Sequence, residues 1–220
     1  MIEPQFVSHY CERTAAGLWN EPVNALTNLG FLVAGVLAWQ LYWSNRQFVK
    51  KPAVDIVILI CLLFCIAIGS TLWHTIARPW AELADAIPIL LFISVYLISF
   101  LWRILQLRAM WIILIFALFQ LINNAVIFAV PKALFNGSLF YAPAWITLLI
   151  FTFLLLRNRH PAAKSFIAAT LLFCAALVFR TLDQTVCSVI PFGTHFMWHL
   201  LIAVMLFRVF GCLIRYPQAT

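Results

Sequence analysis

Seven apolar runs, each close to the roughly 20 residues that a helix needs to cross a hydrocarbon core, constrain this chain more than anything else in it: 23–43, 53–74, 84–102, 110–130, 138–156, 164–182 and 194–214. With 65% of the residues hydrophobic and 10% charged, too little polar surface is available to clothe a water-soluble domain. The runs are continuous and do not alternate, so backbone polar groups are expected to be satisfied within helices and not in a barrel of strands. The expected fold class is all-α, a seven-transmembrane helix bundle forming one domain. Residues 1–22 read as an extracytoplasmic N-terminal cap, 23–214 as the transmembrane domain and 215–220 as a cytoplasmic tail. No cleavable leader is expected, because the segment up to Trp19 carries Glu3, His9, Glu12 and Arg13 and lacks an apolar core.

Basic residues set the orientation, since short loops rich in Lys and Arg stay on the cytoplasmic side. One set of alternating loops and the final end hold Arg46, Lys50, Lys51, Arg103, Arg108, Arg157, Arg159, Lys164, Arg208 and Arg215; the other side holds only Arg13, Arg78, Lys132 and Arg180. The N-terminus is therefore expected outside and the C-terminus inside. The net charge of +7 is spread over short loops with no dense basic patch, so nucleic acid is not an expected partner. On this topology the second helix ends outside at His74, the third starts outside at Asp85 and the seventh starts outside at His195, which brings all three to one membrane depth.

Ionisable groups inside spans are costly and mark functional sites by default. Ser70 and His74 lie four residues apart, as do His195 and His199, so each pair shares a helix face. Three imidazoles meet the ligand count of a catalytic zinc site, which keeps its fourth position for water. Asp85 is the candidate base for that water, and Ser70 the candidate donor to an oxyanion. Trp198, between the two late histidines, is a candidate pocket wall or interfacial anchor. Other polar groups read as structural: Arg180 with Asp183 as a local ion pair, and Asn123 and Asn124 as bonds across helices. Cys61, Cys65, Cys174 and Cys212 read as small apolar packing residues. Cys11 and Cys187 fall on the outer side, where an oxidising compartment would permit a bridge.

These residues resemble the alkaline ceramidases, members of a wider group of seven-helix zinc hydrolases that includes the adiponectin receptors. The resemblance covers the whole chain in outline and rests on Tyr10-Cys11-Glu12, on Glu21 with Asn24 and Asn28, on Ser70 and His74 with Asp85, and on His195 with His199. It implies that His74, His195 and His199 hold zinc while Asp85 and Ser70 assist water and oxyanion. The implied reaction cleaves the amide of ceramide, or of a related lipid amide, to a fatty acid and a sphingoid base. A disulfide between Cys11 and Cys187 is implied as well. Animal members carry a calcium site in the N-terminal segment, and Glu12 and Glu21 are its candidate ligands here. The segment His9-Tyr10-Cys11-Glu12-Arg13-Thr14 departs from that pattern by lacking the acidic first ligand and the Asn, and Arg13 is placed to neutralise Glu12 instead.

Two readings from other classes stay open at this point. A membrane cytochrome would hold haem between histidines of separate helices, and a seven-helix lipid receptor or transporter would keep the bundle without turnover. The expected partners are the lipid bilayer and a ceramide-like lipid. The expected host is a bacterial inner membrane, or an ER or Golgi membrane in a eukaryote, with the site near the extracytoplasmic side.

Overall fold

A computed structural model describes residues 9–49, 51–131 and 134–216. Residues 1–8 of the expected cap, Lys50 and Lys132 of the charge pattern and residues 217–220 of the expected tail lie outside that set. Among the described residues the regular elements are helical: α1 (Pro22–Thr27), α2 (Leu29–Asn45), α3 (Val54–Ile76), α4 (Pro79–Arg103), α5 (Ala109–Ala129), α6 (Ala142–Arg157), α7 (Ala163–Leu182) and α8 (His195–Arg215), with 3-10 turns at Leu134–Tyr141 and Asp183–Thr185. They make seven spans long and apolar enough to cross a membrane, the first combining α1 with α2.

Local chemistry explains where these elements begin. Pro22 opens α1, where its missing N–H is no loss, and the next two backbone N–H groups, of Val23 and Asn24, donate to the Glu12 carboxylate at 2.7 and 2.9 Å. The helix then breaks at Asn28, so the first expected run is two segments and not one. Helix α4 starts at Pro79, five residues before the expected boundary, because the Arg78 carbonyl accepts from Ala81 and Glu82 and closes the first turn there. Asp85 is accordingly not a helix-terminal charge; it sits in the second turn of α4 and faces inward. The tight link between α3 and α4 turns through Ala77 at φ 49.

The core is uneven. Helix α8 is the most enclosed span, with 67% of its most apolar window buried, whereas α5 has 6% and shows nearly all of its surface to the surroundings. In lipid, helices associate by close packing more than by hydrophobic transfer, and small residues allow it here. A side chain added at Gly69 would come within 2.0 Å of the Ala84 carbonyl oxygen, so this glycine lets α3 and α4 touch backbone to backbone beside Ser70 and Asp85. Deeper down, Phe100 stacks on Phe151 at 3.9 Å and leans on Phe166 at 5.1 Å, joining α4, α6 and α7. The expected packing role does not fit Cys61 and Cys65. Both are exposed, on one stripe of α3 with Ile58 and Ile68, turned away from the neighbouring helices.

Two tethers close the end where α3 finishes and α8 begins. Cys11 and Cys187 form a disulfide, their Cα atoms 5.2 Å apart. Asp183, fully buried, accepts the backbone N–H groups of Cys11 (3.1 Å), Thr194 (2.7 Å) and His195 (2.9 Å), and so caps α8 from outside that helix. The expected ion pair between Arg180 and Asp183 therefore does not form, because the carboxylate is already committed to three backbone donors. Gly193 makes this approach feasible: at φ +66, a Cβ there would lie 2.1 Å from Asp183 Oδ1. Asn124 does not bond across helices either; it donates to Gln120 O of its own α5 at 2.7 Å.

Candidate metal centre

His74 lies in the last turn of α3, and His195 and His199 lie in the first two turns of α8 on one face, as their four-residue spacing requires. The fold brings the three rings together: centroids are 4.7 Å apart for His74 and His199, 4.7 Å for His195 and His199, and 5.2 Å for His74 and His195. All three residues are at most 2% exposed, and each turns a nitrogen to a common point, with the ligand atoms within 4.8 Å of one another.

The hydrogen bonds around the rings fix which nitrogen is free. His74 Nδ1 meets Glu21 Oε2 at 2.5 Å, so it carries the proton and leaves Nε2 with a lone pair. His199 is met by Thr27. Its single hydroxyl hydrogen has two backbone acceptors, Val23 O at 2.9 Å and Asn24 O at 3.0 Å, and a proton on His199 Nδ1, at 2.9 Å, lets the hydroxyl serve one of them while its oxygen accepts from the ring. His199 is thereby left with a lone pair on Nε2. His74 Nε2 and His195 Nδ1 are buried and have no hydrogen-bond partner, an expensive condition for polar atoms in a low-dielectric interior. Neutral imidazoles with unspent lone pairs and oriented outer nitrogens fit a zinc ion in number and kind. A flat macrocycle fits less well, because Tyr10 already stacks on His195 at a centroid distance of 3.8 Å.

Ser70, on α3 one turn before His74, and Asp85 on α4 join this cluster across the Gly69 contact. Both line the same cavity as His195 and His199. Asp85 Oδ1 is buried without a partner, and the Ser70 hydroxyl is its polar neighbour. The cavity holds about 350 Å³ and runs from these polar groups down past Ile202, Met205 and Val209 of α8 toward Phe151 of α6. Trp198 forms part of its wall, as its place between the two histidines implied.

The acidic residues considered for calcium are engaged otherwise. Both Glu12 oxygens cap α1, as described above, and burial pushes its carboxyl up against the pull of those N–H groups. Glu21 is wrapped by His74, by Asn24 Nδ2 at 3.1 Å and by Arg13, with which it forms a buried ion pair. Burial would raise the Glu21 carboxyl, yet the hydrogen bond from His74, helped by the hydrogen bond and charge of Arg13, holds it below the usual carboxylate range. Arg13 thus neutralises Glu21 and not its neighbour Glu12. Its Nη2 also donates to the His74 carbonyl at 2.9 Å, so a guanidinium ties the N-terminal segment to the end of α3 at the place where the calcium expectation put a metal ion.

Sequence reasoning had missed four relations around the cluster: Glu21 as the partner of His74, where it was read as a candidate calcium ligand, Thr27 as that of His199, Tyr10 stacked on His195, and Arg180 in the cavity wall, where it was read as the partner of Asp183. Thr27 and His199 are 172 positions apart, and no spacing rule links them. Glu21 did carry a signal, since an acidic residue next to a helix-opening proline in so apolar a chain needs a partner of opposite charge.

Comparison with known proteins supplies the family. The ceramidase family model matches residues 8–218, nearly the whole chain. The comparison with curated proteins returns no match.

Proposed function

The chain belongs to the ceramidase family, and from that premise we propose that it is an integral membrane, zinc-dependent amide hydrolase that cleaves the N-acyl bond of ceramide or a related lipid amide. The observation that carries the reading is the buried cluster of His74, His195 and His199, with unspent nitrogens, at the polar end of an apolar cavity. His74, His195 and His199 would hold the zinc, which would supply Lewis acidity and make a water acidic enough to ionise near neutral pH.

The chain's own groups do the rest. Glu21 and Thr27 hold His74 and His199 in the tautomers that leave Nε2 free. Asp85, with one carboxylate oxygen unused by the protein, takes the proton of the attacking water and returns it to the departing nitrogen. Ser70 turns its hydroxyl from Asp85 toward the carbonyl oxygen as charge develops there. The long apolar cavity takes the acyl chain and excludes water from it. The loop charges support a cluster at the extracytoplasmic side with the N-terminus outside, so that the lipid enters sideways from that leaflet of a bacterial inner membrane, or of an ER or Golgi membrane in a eukaryote.

Zinc should copurify with the protein, and His199→Ala should lose the metal and lower ceramide hydrolysis by about a thousandfold or more, the scale of a lost metal centre. Full hydrolysis by that variant defeats the mechanism.

A further inference from the structure

Arg180, near the end of α7, lines the cavity, and the reaction above leaves its surroundings unexplained. Its Nε is buried and has no hydrogen-bond partner. Among the described residues no carboxylate lies within ion-pair distance of its guanidinium, in contrast to Arg13, which pairs with Glu21, and Arg103, which pairs with Asp55. Asp183, three residues on, is spent on backbone donors. Asp85 shares the cavity and acts on Arg180 only through space.

What surrounds the guanidinium is aromatic. Its central carbon is 5.2 Å from the Trp198 ring centroid, 5.4 Å from that of Tyr141 and 6.0 Å from that of Tyr10, and the Tyr10 hydroxyl is a hydrogen-bonding neighbour. Ring faces offset part of the cost of burying a cation. They do not engage the donors in the guanidinium plane, of which Nε is left unspent. Planar forked donors in a dry site match a carboxylate, which accepts two such bonds at once.

The position is as telling as the chemistry. Trp198 sits between His195 and His199 on α8, and Tyr10 stacks on His195, so a single layer of aromatic side chains separates Arg180 from the histidine cluster. We propose that Arg180 is the anion subsite of this cavity and binds the carboxylate of a lipid whose chain fills the apolar part. Two sources share that chemistry. Hydrolysis breaks the C–N bond, forms a C–O bond from water and passes both water protons to nitrogen, so a neutral acyl carbonyl leaves as a fatty-acid carboxylate and the amine as an ammonium. Alternatively, the carboxylate is borne on the amine side, as in an N-acyl amino acid. The choice of lipid rests on the hydrolase reading above; the preference for an anion does not.

Binding of palmitate and of hexadecanol to the purified full chain tests this, before and after chelation so that a cation at the rings does not account for the result. Wild-type protein is expected to hold palmitate at least tenfold more tightly, the scale of one charge-assisted hydrogen bond. Arg180→Lys should keep part of the preference and Arg180→Gln should lose it while still binding hexadecanol. In the wild-type protein the carboxyl carbon of bound [1-13C]palmitate should give the resonance of the ionised form at pH 7, a readout independent of any variant. Equal binding of acid and alcohol, an undiminished preference in Arg180→Gln, or a protonated bound acid overturns the proposal. Hydrolysis rates then separate the sources. Preference for N-palmitoylglycine over N-palmitoylethanolamine that Arg180→Gln abolishes places the carboxylate on the amine side, and palmitate inhibition that the same variant relieves places it on the acid. If no N-acyl lipid is cleaved while the Arg180-dependent preference persists, the hydrolase reading fails and the subsite stands.

Discussion

Arg103 and Arg180 are both arginines near helix ends of the same bundle, yet only one has its charge answered inside the protein. At the end of α4, Arg103 grips Asp55 of α3 with two parallel bonds, Nε to Oδ2 at 2.7 Å and Nη2 to Oδ1 at 2.5 Å, and Nη2 also donates to the Pro52 carbonyl at 2.7 Å. At the opposite end, Arg180 Nε, Asp85 Oδ1 and His195 Nδ1, all on residues that line one cavity, and His74 Nε2 beside them are buried without hydrogen-bond partners. Closed pairing is what a structural clamp looks like; a cluster of unspent donors and acceptors is what a binding site looks like before its ligand arrives.

Substitutions at the two ends should therefore fail in different ways. The largest stability effect is expected from Asp55→Ala, which strands the Arg103 guanidinium and should cost about 3 kcal/mol in thermal unfolding in detergent, with zinc content unchanged. Loss of zinc without loss of stability would blur the distinction between the ends. Glu21→Gln should do the reverse. It removes the charge that orients His74 and should weaken zinc binding by about 10- to 100-fold in a chelator competition; unchanged affinity would make Glu21 a structural residue like Asp55. Thr27→Val is the smallest expected effect. Losing one neutral bond to His199 should cost about 1 kcal/mol of zinc binding, some fivefold, and a change as large as that of Glu21→Gln would mean that the hydroxyl carries more than ring orientation.

The sequence made one end of the molecule far more legible than its details. Seven spans were readable because continuous apolar runs near 20 residues have one solution in lipid. His74, His195, His199, Ser70 and Asp85 were readable because polar groups stand out against such runs and because four-residue spacing survives the passage into a helix. The misses share a cause. Asp183 and Arg180 are three residues apart and read as a pair, but the fold delivers the backbone N–H groups of Cys11, Thr194 and His195 to that carboxylate, and local charge arithmetic has no access to donors that arrive from distant parts of the chain. Arg13 beside Glu12 misled in the same way: the adjacent carboxylate was claimed by a helix start, and the guanidinium reached Glu21 instead. The boundary of α4 moved to Pro79 because its first turn contains Trp80 and Glu82, and a hydropathy run begins only where such residues stop.

The most direct test of the account is zinc titration into chelator-stripped protein while ceramide hydrolysis is recorded. Hydrolysis should be absent in the stripped protein and should return in proportion to zinc up to one ion per chain, with no return when His74, His195 and His199 are replaced together. Undiminished hydrolysis by the stripped protein would contradict the account.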